Sequence, residues 1–172
     1  NSVFPLGDDR GGSLLERAAW HGDEHAPAVK QADELAAILY TSGTTGRSKG
    51  AMLTHYNLWA NTEQARAWFP QAKEGHERMM GVLPFFHVFA MTAVMNTAIR
   101  IGAEIIMLPR FDLEAVMKLI PKKKPTIFHG VPTMYVAIGG HKDASVIDMT
   151  STQGCISGGA PLAVEVNQKI EK

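Results

Sequence analysis

The residues best equipped for chemistry form one string, Tyr40-Thr41-Ser42-Gly43-Thr44-Thr45-Gly46-Arg47-Ser48-Lys49-Gly50. Glycines let a backbone turn sharply and approach an anion closely, so that main-chain N–H groups face phosphate oxygens. The hydroxyls of Thr41, Ser42, Thr44 and Thr45 add donors, and Lys49 adds a mobile positive charge. That combination suits a triphosphate. It is not a Walker A loop, which ends Gly-Lys-Ser/Thr; Lys49 precedes Gly50 and no hydroxyl follows. No aspartate of Walker B type ends a strand either, which argues against a P-loop ATPase.

Two further stretches carry candidates. Leu83-Pro84-Phe85-Phe86-His87-Val88-Phe89 sets a histidine behind an apolar run and two phenylalanines. A lone histidine there also reads as a satisfied core residue, and no orienting acid stands beside it, so general-base work is not assigned. Ser157-Gly158-Gly159-Ala160-Pro161-Leu162 offers bare backbone against which a planar base can lie, ahead of a helix N-terminus that favours negative charge. Alone, it is equally a strand-to-helix turn. His21 and His25 have a spacing that one helix turn can offer to a metal. Gly22 weakens that helix and no third ligand follows, so no metal site is assigned.

In order and spacing these segments resemble the adenylate-forming superfamily, which includes acyl-CoA synthetases, adenylation domains of peptide synthetases and beetle luciferases. The resemblance runs from about residue 33 to the C-terminus. It implies that Thr41, Ser42, Gly43, Thr44, Thr45, Gly46 and Lys49 hold the phosphates of ATP, with Thr45 and Lys49 taking catalytic parts. The stretch 83–89 is similar to the motif at the carboxylate end of the acyl pocket, which implies that Phe86 and His87 meet the acid. Gly158, Gly159, Ala160 and Pro161 match the segment that lies against adenine. Gly130-Val131-Pro132-Thr133-Met134-Tyr135 resembles a lining of the acyl tunnel, through Gly130, Val131 and Thr133.

The reaction so implied has two halves. A carboxylate attacks the α-phosphate of magnesium-bound ATP to give acyl-adenylate and pyrophosphate; coenzyme A then displaces AMP as the thioester forms. The start at Asn1-Ser2-Val3 without an initiator methionine and the charged, helical-looking end make both ends read as cut. The resemblance places the Thr-Glu magnesium motif, the ribose aspartate and a small lysine-bearing domain beyond residue 172, so the chain alone is expected to be inactive. The Phe-Phe-His-Val-Phe context looks most like medium- and long-chain fatty acyl-CoA ligases. Aryl-CoA ligases, other adenylating enzymes and a non-catalytic nucleotide-binding module stay open as alternatives.

The elements that must hold these segments follow from periodicity. A short apolar strand over 35–40, expected to be buried, feeds the glycine-rich loop, and Thr54 caps a helix to about Trp68, before Pro70. Strands are expected over 79–83, 103–108, 126–129 and 153–157, the last with Cys155 as a small core residue. Helices are expected over 88–100, closed by Gly102, and from Asp112, with Leu113, Val116, Met117 and Ile120 on one face and Glu114 paired with Lys118 on the other. Pro132 opens another helix, and Pro161 starts a last one with a Leu162, Val166, Ile170 stripe. Alternating strands and helices predict an α/β fold, a mostly parallel sheet with helices on its faces and ligands beyond the strands' carboxyl ends. Residues 1–32 read as a polar lead-in with one short helix near 14–20, and 33–172 as part of the large N-terminal AMP-binding domain.

Composition narrows the partners. The 17 basic residues balance the 17 acidic ones, which leaves no electrostatic footprint for nucleic acid. A single cysteine, Cys155, excludes an internal disulfide and suits a cytoplasmic setting, with peripheral membrane contact left open. Between Met79 and Ile99 there is no charged side chain, but Pro84, His87 and Asn96 argue for strand, turn and core helix over a membrane span. Lys122, Lys123 and Lys124 suit a helix C-terminus and a solvated loop. The partners expected are therefore small molecules, with self-association through apolar surface left bare by a cut sheet.

Overall fold

The computed structural model describes residues 29–41 and 46–170. The chain divides into two compact units, Asn1–Gln31 and Ala32–Lys172. The short helix expected near 14–20 and the pair His21 and His25 lie outside the described residues.

The second unit opens with strand β1 (Leu35–Thr41), which turns back to pair antiparallel with β2 (Lys49–Thr54). The sequence reading missed β2 and took β1 as buried. Instead, Leu35 is 46%, Ile38 47% and Tyr40 75% exposed, because β1 has only β2 as a strand neighbour and stands outside the main sheet. Helix α1 (His55–Ala67) follows directly. Thr54 Oγ1 accepts from Asn57 N at 3.2 Å while Asn57 Oδ1 accepts from Thr54 N at 3.0 Å, a reciprocal cap built from residues three apart. The chain running into β1 ties to the start of α1 through His55 N to Glu34 O at 3.1 Å and Tyr56 N to Ala32 O at 2.8 Å.

The main sheet has four parallel strands in the order β4-β3-β5-β6: β3 (Arg78–Gly81), β4 (Glu104–Met107), β5 (Ile127–Gly130) and β6 (Gly154–Ser157). Successive side chains on a strand point to opposite faces, so neighbouring apolar residues can fill two cores at once. Met80, Ile106 and Phe128 pack with Val116, Met117 and Ile120 of helix α3 (Leu113–Lys123) and with Tyr135 and Ile138 of α4 (Pro132–Gly140). Their strand neighbours Met79, Ile105 and Ile127 pack on the other face against Val94, Ala98 and Ile101 of the helical stretch α2 (88–101). The uncharged span from Met79 to Ile99 is thus strand, turn and core helix. No helix among the described residues is long and apolar enough to cross a membrane.

Helix α2 changes winding along its length: Val88–Ala90 and Thr97–Ile101 are α-helical, and Met91–Asn96 between them is π-helical. Buried Thr97 donates its hydroxyl to Thr92 O at 2.8 Å, one residue further back than an α-helical back-bond reaches. Gly102 ends it in the left-handed conformation, φ 66, as a C-terminal glycine does. Asp112 Oδ1 accepts from Ala115 N at 2.8 Å to start α3, as expected from the sequence. Glu114 pairs not with Lys118 but with His141 Nε2 at 3.1 Å, across to the end of α4. Lys123 reaches Glu104 at 3.2 Å, so the lysine cluster is partly tethered. The last helix, α5, spans Val164–Ile170 and starts three residues after Pro161; the stripe of Leu162, Val166 and Ile170 still packs on the α3–α4 side of the sheet. Cys155 lies on β6 but is exposed, since β6 is an edge strand.

Candidate functional site

All four main-sheet strands are parallel, so their carboxyl ends share one side of the sheet. β3 runs there into Val82, Leu83 and Pro84, and then the start of α2; β5 runs into Gly130 and Val131; β6 runs into Gly158 and Gly159. Gly158 N donates to Gly130 O at 3.1 Å, continuing the β5–β6 ladder one step past Ser157. Gly159 takes a left-handed backbone, φ 81, and a side chain at that position would stand 3.6 Å from Val131 Cγ1. Gly158 is not bare toward solvent. A Cβ there would meet the Phe89 ring at 2.8 Å, so the space a side chain would fill is already taken by an aromatic residue from α2.

His87 is exposed and caps α2: its Nδ1 accepts from Phe89 N at 3.2 Å. An accepting Nδ1 in a neutral imidazole leaves the proton on Nε2. In that tautomer the Nε2–H of this exposed ring is available as a hydrogen-bond donor. Phe86 beside it is 85% exposed. Thr133, in the first turn of α4, is exposed, whereas Gly130 is buried and Val131 half-buried.

Thr41 and Lys49 face each other as the last pair of the β1–β2 hairpin, with Thr41 Oγ1 3.5 Å from Lys49 O. Ser42, Gly43, Thr44 and Thr45 lie outside the described residues. Gly46, on the far side of the turn, has φ 77 and open space around it. The loop therefore joins two antiparallel strands, and no helix N-terminus follows it directly, since β2 intervenes before α1. No helix dipole therefore stands directly behind Thr41 and Lys49 at this end of the hairpin.

Sequence reasoning passed over two residues that the fold places against this cluster. Phe89 lies between the His87 and Gly158 segments, and its ring also meets the buried His129 ring edge-on, centroids 6.1 Å apart. His129, on β5, is 1% exposed, has Phe69 on a further side at 6.5 Å, and its Nδ1 has no hydrogen-bond partner. Burial lowers its pKa from 6.5 to about 4, which keeps the ring neutral. A histidine inside an otherwise apolar strand run was the available signal.

Behind β5 and β6, the Tyr135 hydroxyl stands 3.0 Å from Phe128 O and 2.9 Å from Ile156 O, fastening α4 to both strands. Burial pushes this phenol's pKa up, well above the ordinary tyrosine range. A cleft of about 740 Å³ opens beyond α4, lined in part by Ile138, His141, Met149, Thr152, Cys155 and Ile170. None of the candidate phosphate-, adenine- or acid-binding residues lines it, and its chemistry is that of a half-apolar groove. The strand ends, where converging backbone and the His87 donor meet, are the better candidate.

The profile of the AMP-binding enzyme family matches residues 5–172. The chain is 48% identical over 146 residues to a long-chain-fatty-acid–CoA ligase of Bacillus subtilis, covering 85% of this chain and 26% of that protein. It is 36% identical over 156 residues to 4-coumarate–CoA ligase 1 of Solanum tuberosum, covering 86% and 28%. The crystal structure of ATP-bound MatB from Rhodopseudomonas palustris superposes with a TM-score of 0.87 at 34% identity, over 99% of this chain and 33% of that one. The chain spans about a quarter of the length of these curated relatives.

Proposed function

The chain belongs to the AMP-binding enzyme family, and from that premise we propose that the protein carrying it is an ATP-dependent carboxylic-acid:CoA ligase acting on medium- or long-chain fatty acids. The observation that supports this most directly is the meeting of the His87, Gly130–Val131 and Gly158–Gly159 segments at one end of a parallel sheet. The 48% identity to a long-chain-fatty-acid–CoA ligase favours the fatty-acid choice. Residues 33–172 then form part of the N-terminal AMP-binding domain, with 1–32 as its lead-in.

In this reading the acid's carboxylate oxygen attacks the α-phosphorus of ATP, the bond to pyrophosphate breaks, and acyl-adenylate forms. The thiol of coenzyme A next adds to the acyl carbon and AMP leaves. Thr41, Ser42, Gly43, Thr44, Thr45, Gly46 and Lys49 take the β- and γ-phosphates and follow the charge onto pyrophosphate, largely by positioning and neutralisation. The Nε2–H of His87, with Phe86 beside it, orients the carboxylate. Gly159, Ala160 and Pro161 border the adenine, and Gly158 holds their backbone in place. Gly130, Val131 and Thr133 line the acyl side. Magnesium accompanying ATP would add charge neutralisation at the phosphates, beside Lys49.

A second reading, an aryl-CoA ligase, draws on the 36% identity to 4-coumarate–CoA ligase 1. The lone cysteine fits a reducing, cytoplasmic compartment. Assaying the complete protein for AMP and thioester across acids from acetate to oleate, with benzoate and 4-coumarate included, separates the readings. Activity highest on long chains, and reduced about tenfold or more in Lys49→Ala, is expected from lost charge stabilisation. Highest activity on aryl acids overturns the fatty-acid choice. ATP binding without turnover on any acid moves the protein to a non-catalytic nucleotide-binding role.

A further inference from the structure

The geometry points to Phe89 as a positioning residue that locks the acyl-side segment to the nucleotide-side turn, so that His87 and the Gly158–Pro161 backbone hold one fixed separation. The inference rests on the ligase reading for its catalytic meaning, but the contact itself does not. Three observations meet at this residue, one through its backbone and two through its ring. Its backbone N–H donates to His87 Nδ1 at 3.2 Å, which sets the imidazole's rotamer and tautomer. Its ring fills the space where a Cβ on Gly158 would sit, with Cζ at 2.8 Å and Cε1 at 2.9 Å. The same ring meets the buried His129 ring at 6.1 Å and 70°, so a movement of Phe89 is felt at β5. Gly158 has no left-handed backbone requirement, unlike Gly159 at φ 81. Its lack of a side chain is therefore used by Phe89.

Two consequences follow. Removing the ring frees the Gly158–Gly159 turn, whose link to β5 is then the Gly158 N to Gly130 O bond and its ladder neighbours. Adding a methyl at 158 pushes the ring, and with it the His87 cap. Catalytic geometry is sensitive to displacements of about 1 Å, which can cost roughly a hundredfold in rate. A change confined to one of the two segments is thus felt in the use of both substrates.

The test is a size-exchange cycle in the complete protein: Phe89→Leu, Gly158→Ala and the double variant, with Val116→Ala as a control in the core on the opposite face. Hydrogen exchange over peptides spanning 157–161 is read without any ligand. Michaelis constants for ATP and for a long-chain acid are read separately from kcat. The expected result has four parts. Phe89→Leu raises exchange at 157–161 while β4 and α3 are unchanged. Gly158→Ala raises both Michaelis constants, with kcat/KM falling about tenfold or more. The double variant recovers most of that loss. Val116→Ala lowers the melting temperature but leaves both Michaelis constants alone.

Unchanged exchange at 157–161 in Phe89→Leu overturns the coupling whatever the activity. So does a double variant no better than Gly158→Ala, or a loss in one Michaelis constant only. Wild-type protein that forms no acyl-adenylate, with the exchange result as expected, overturns the ligase reading and the catalytic use of the contact, and supports the contact itself.

Discussion

His129 provides the most direct physical test of this fold. The ring sits on β5 at 1% exposure between Phe69 and Phe89, with Nδ1 unpartnered, and burial holds its pKa at about 4 against an ordinary 6.5. The native fold therefore excludes a proton that the unfolded chain takes up. Stability attributable to this group is complete above pH 6.5, falls as the pH drops toward 4, and is not eroded further once both forms hold the proton. Between pH 7.5 and pH 5 the loss is about 2 kcal/mol, rising to a limit near ~3 kcal/mol below pH 4. Against a typical total of about 5–15 kcal/mol, that is a readily measured share. Urea unfolding of wild type and His129→Phe across this range isolates the term, since every other titrating group is common to both. The wild type should lose about 2 kcal/mol more than the variant over that interval. Exchange of the imidazole C2 proton, followed by mass spectrometry on the peptide containing His129, gives the native pKa independently. Parallel pH profiles for the two proteins, or a C2-proton midpoint near 6.5, would show that the ring is hydrated or charged in the native state and refute the reasoning.

Other outcomes follow from single contacts. Thr54→Ala removes the hydroxyl that accepts from Asn57 N, and should cost about 1 kcal/mol in urea unfolding, with Thr54→Ser close to neutral. Gly102→Ala forces a Cβ into a left-handed residue at φ 66 and should destabilise by roughly 1 kcal/mol, read as a drop in melting temperature. Tyr135→Phe deletes the hydroxyl shared by Phe128 O and Ile156 O and should cost about 1 kcal/mol, accompanied by faster exchange along β6. Arg100→Ala breaks an ion pair with Glu63 that is open to solvent, so unfolding should shift by less than about 1 kcal/mol and less still in high salt. Exposed Ile38, Tyr40 and Met52 on the hairpin support self-association of this chain; sedimentation at two concentrations should show a rising average mass that Tyr40→Lys reduces.

What the sequence determined by itself is what short range controls. The caps at Thr54 and Asp112 join groups three residues apart. The stripe of Leu113, Val116, Met117 and Ile120 is a period of one helix, and Gly102 needs only its own backbone freedom. The strings at 40–50, 83–89 and 157–162 stood out for the same reason, since each is a run of consecutive residues, and the candidate site was readable only as such strings. The four strands of the main sheet were legible too, because parallel strands covered on both faces must be apolar throughout.

Tertiary structure decided the rest, wherever the partner lies far along the chain. Antiparallel pairing of Tyr40 with Gly50 sets Thr41 and Lys49 opposite each other on a hairpin, and no local pattern in 35–40 distinguishes that from a buried parallel strand. Cys155 is exposed because β6 is an edge, a property of strand order rather than of its own neighbours. Glu114 finds His141 instead of Lys118 because α3 and the end of α4 pack side by side. Gly158 is glycine on account of Phe89, a ring from a different element on a different strand connection. Local physics sets which segments can bind; only the three-dimensional arrangement sets which of them meet.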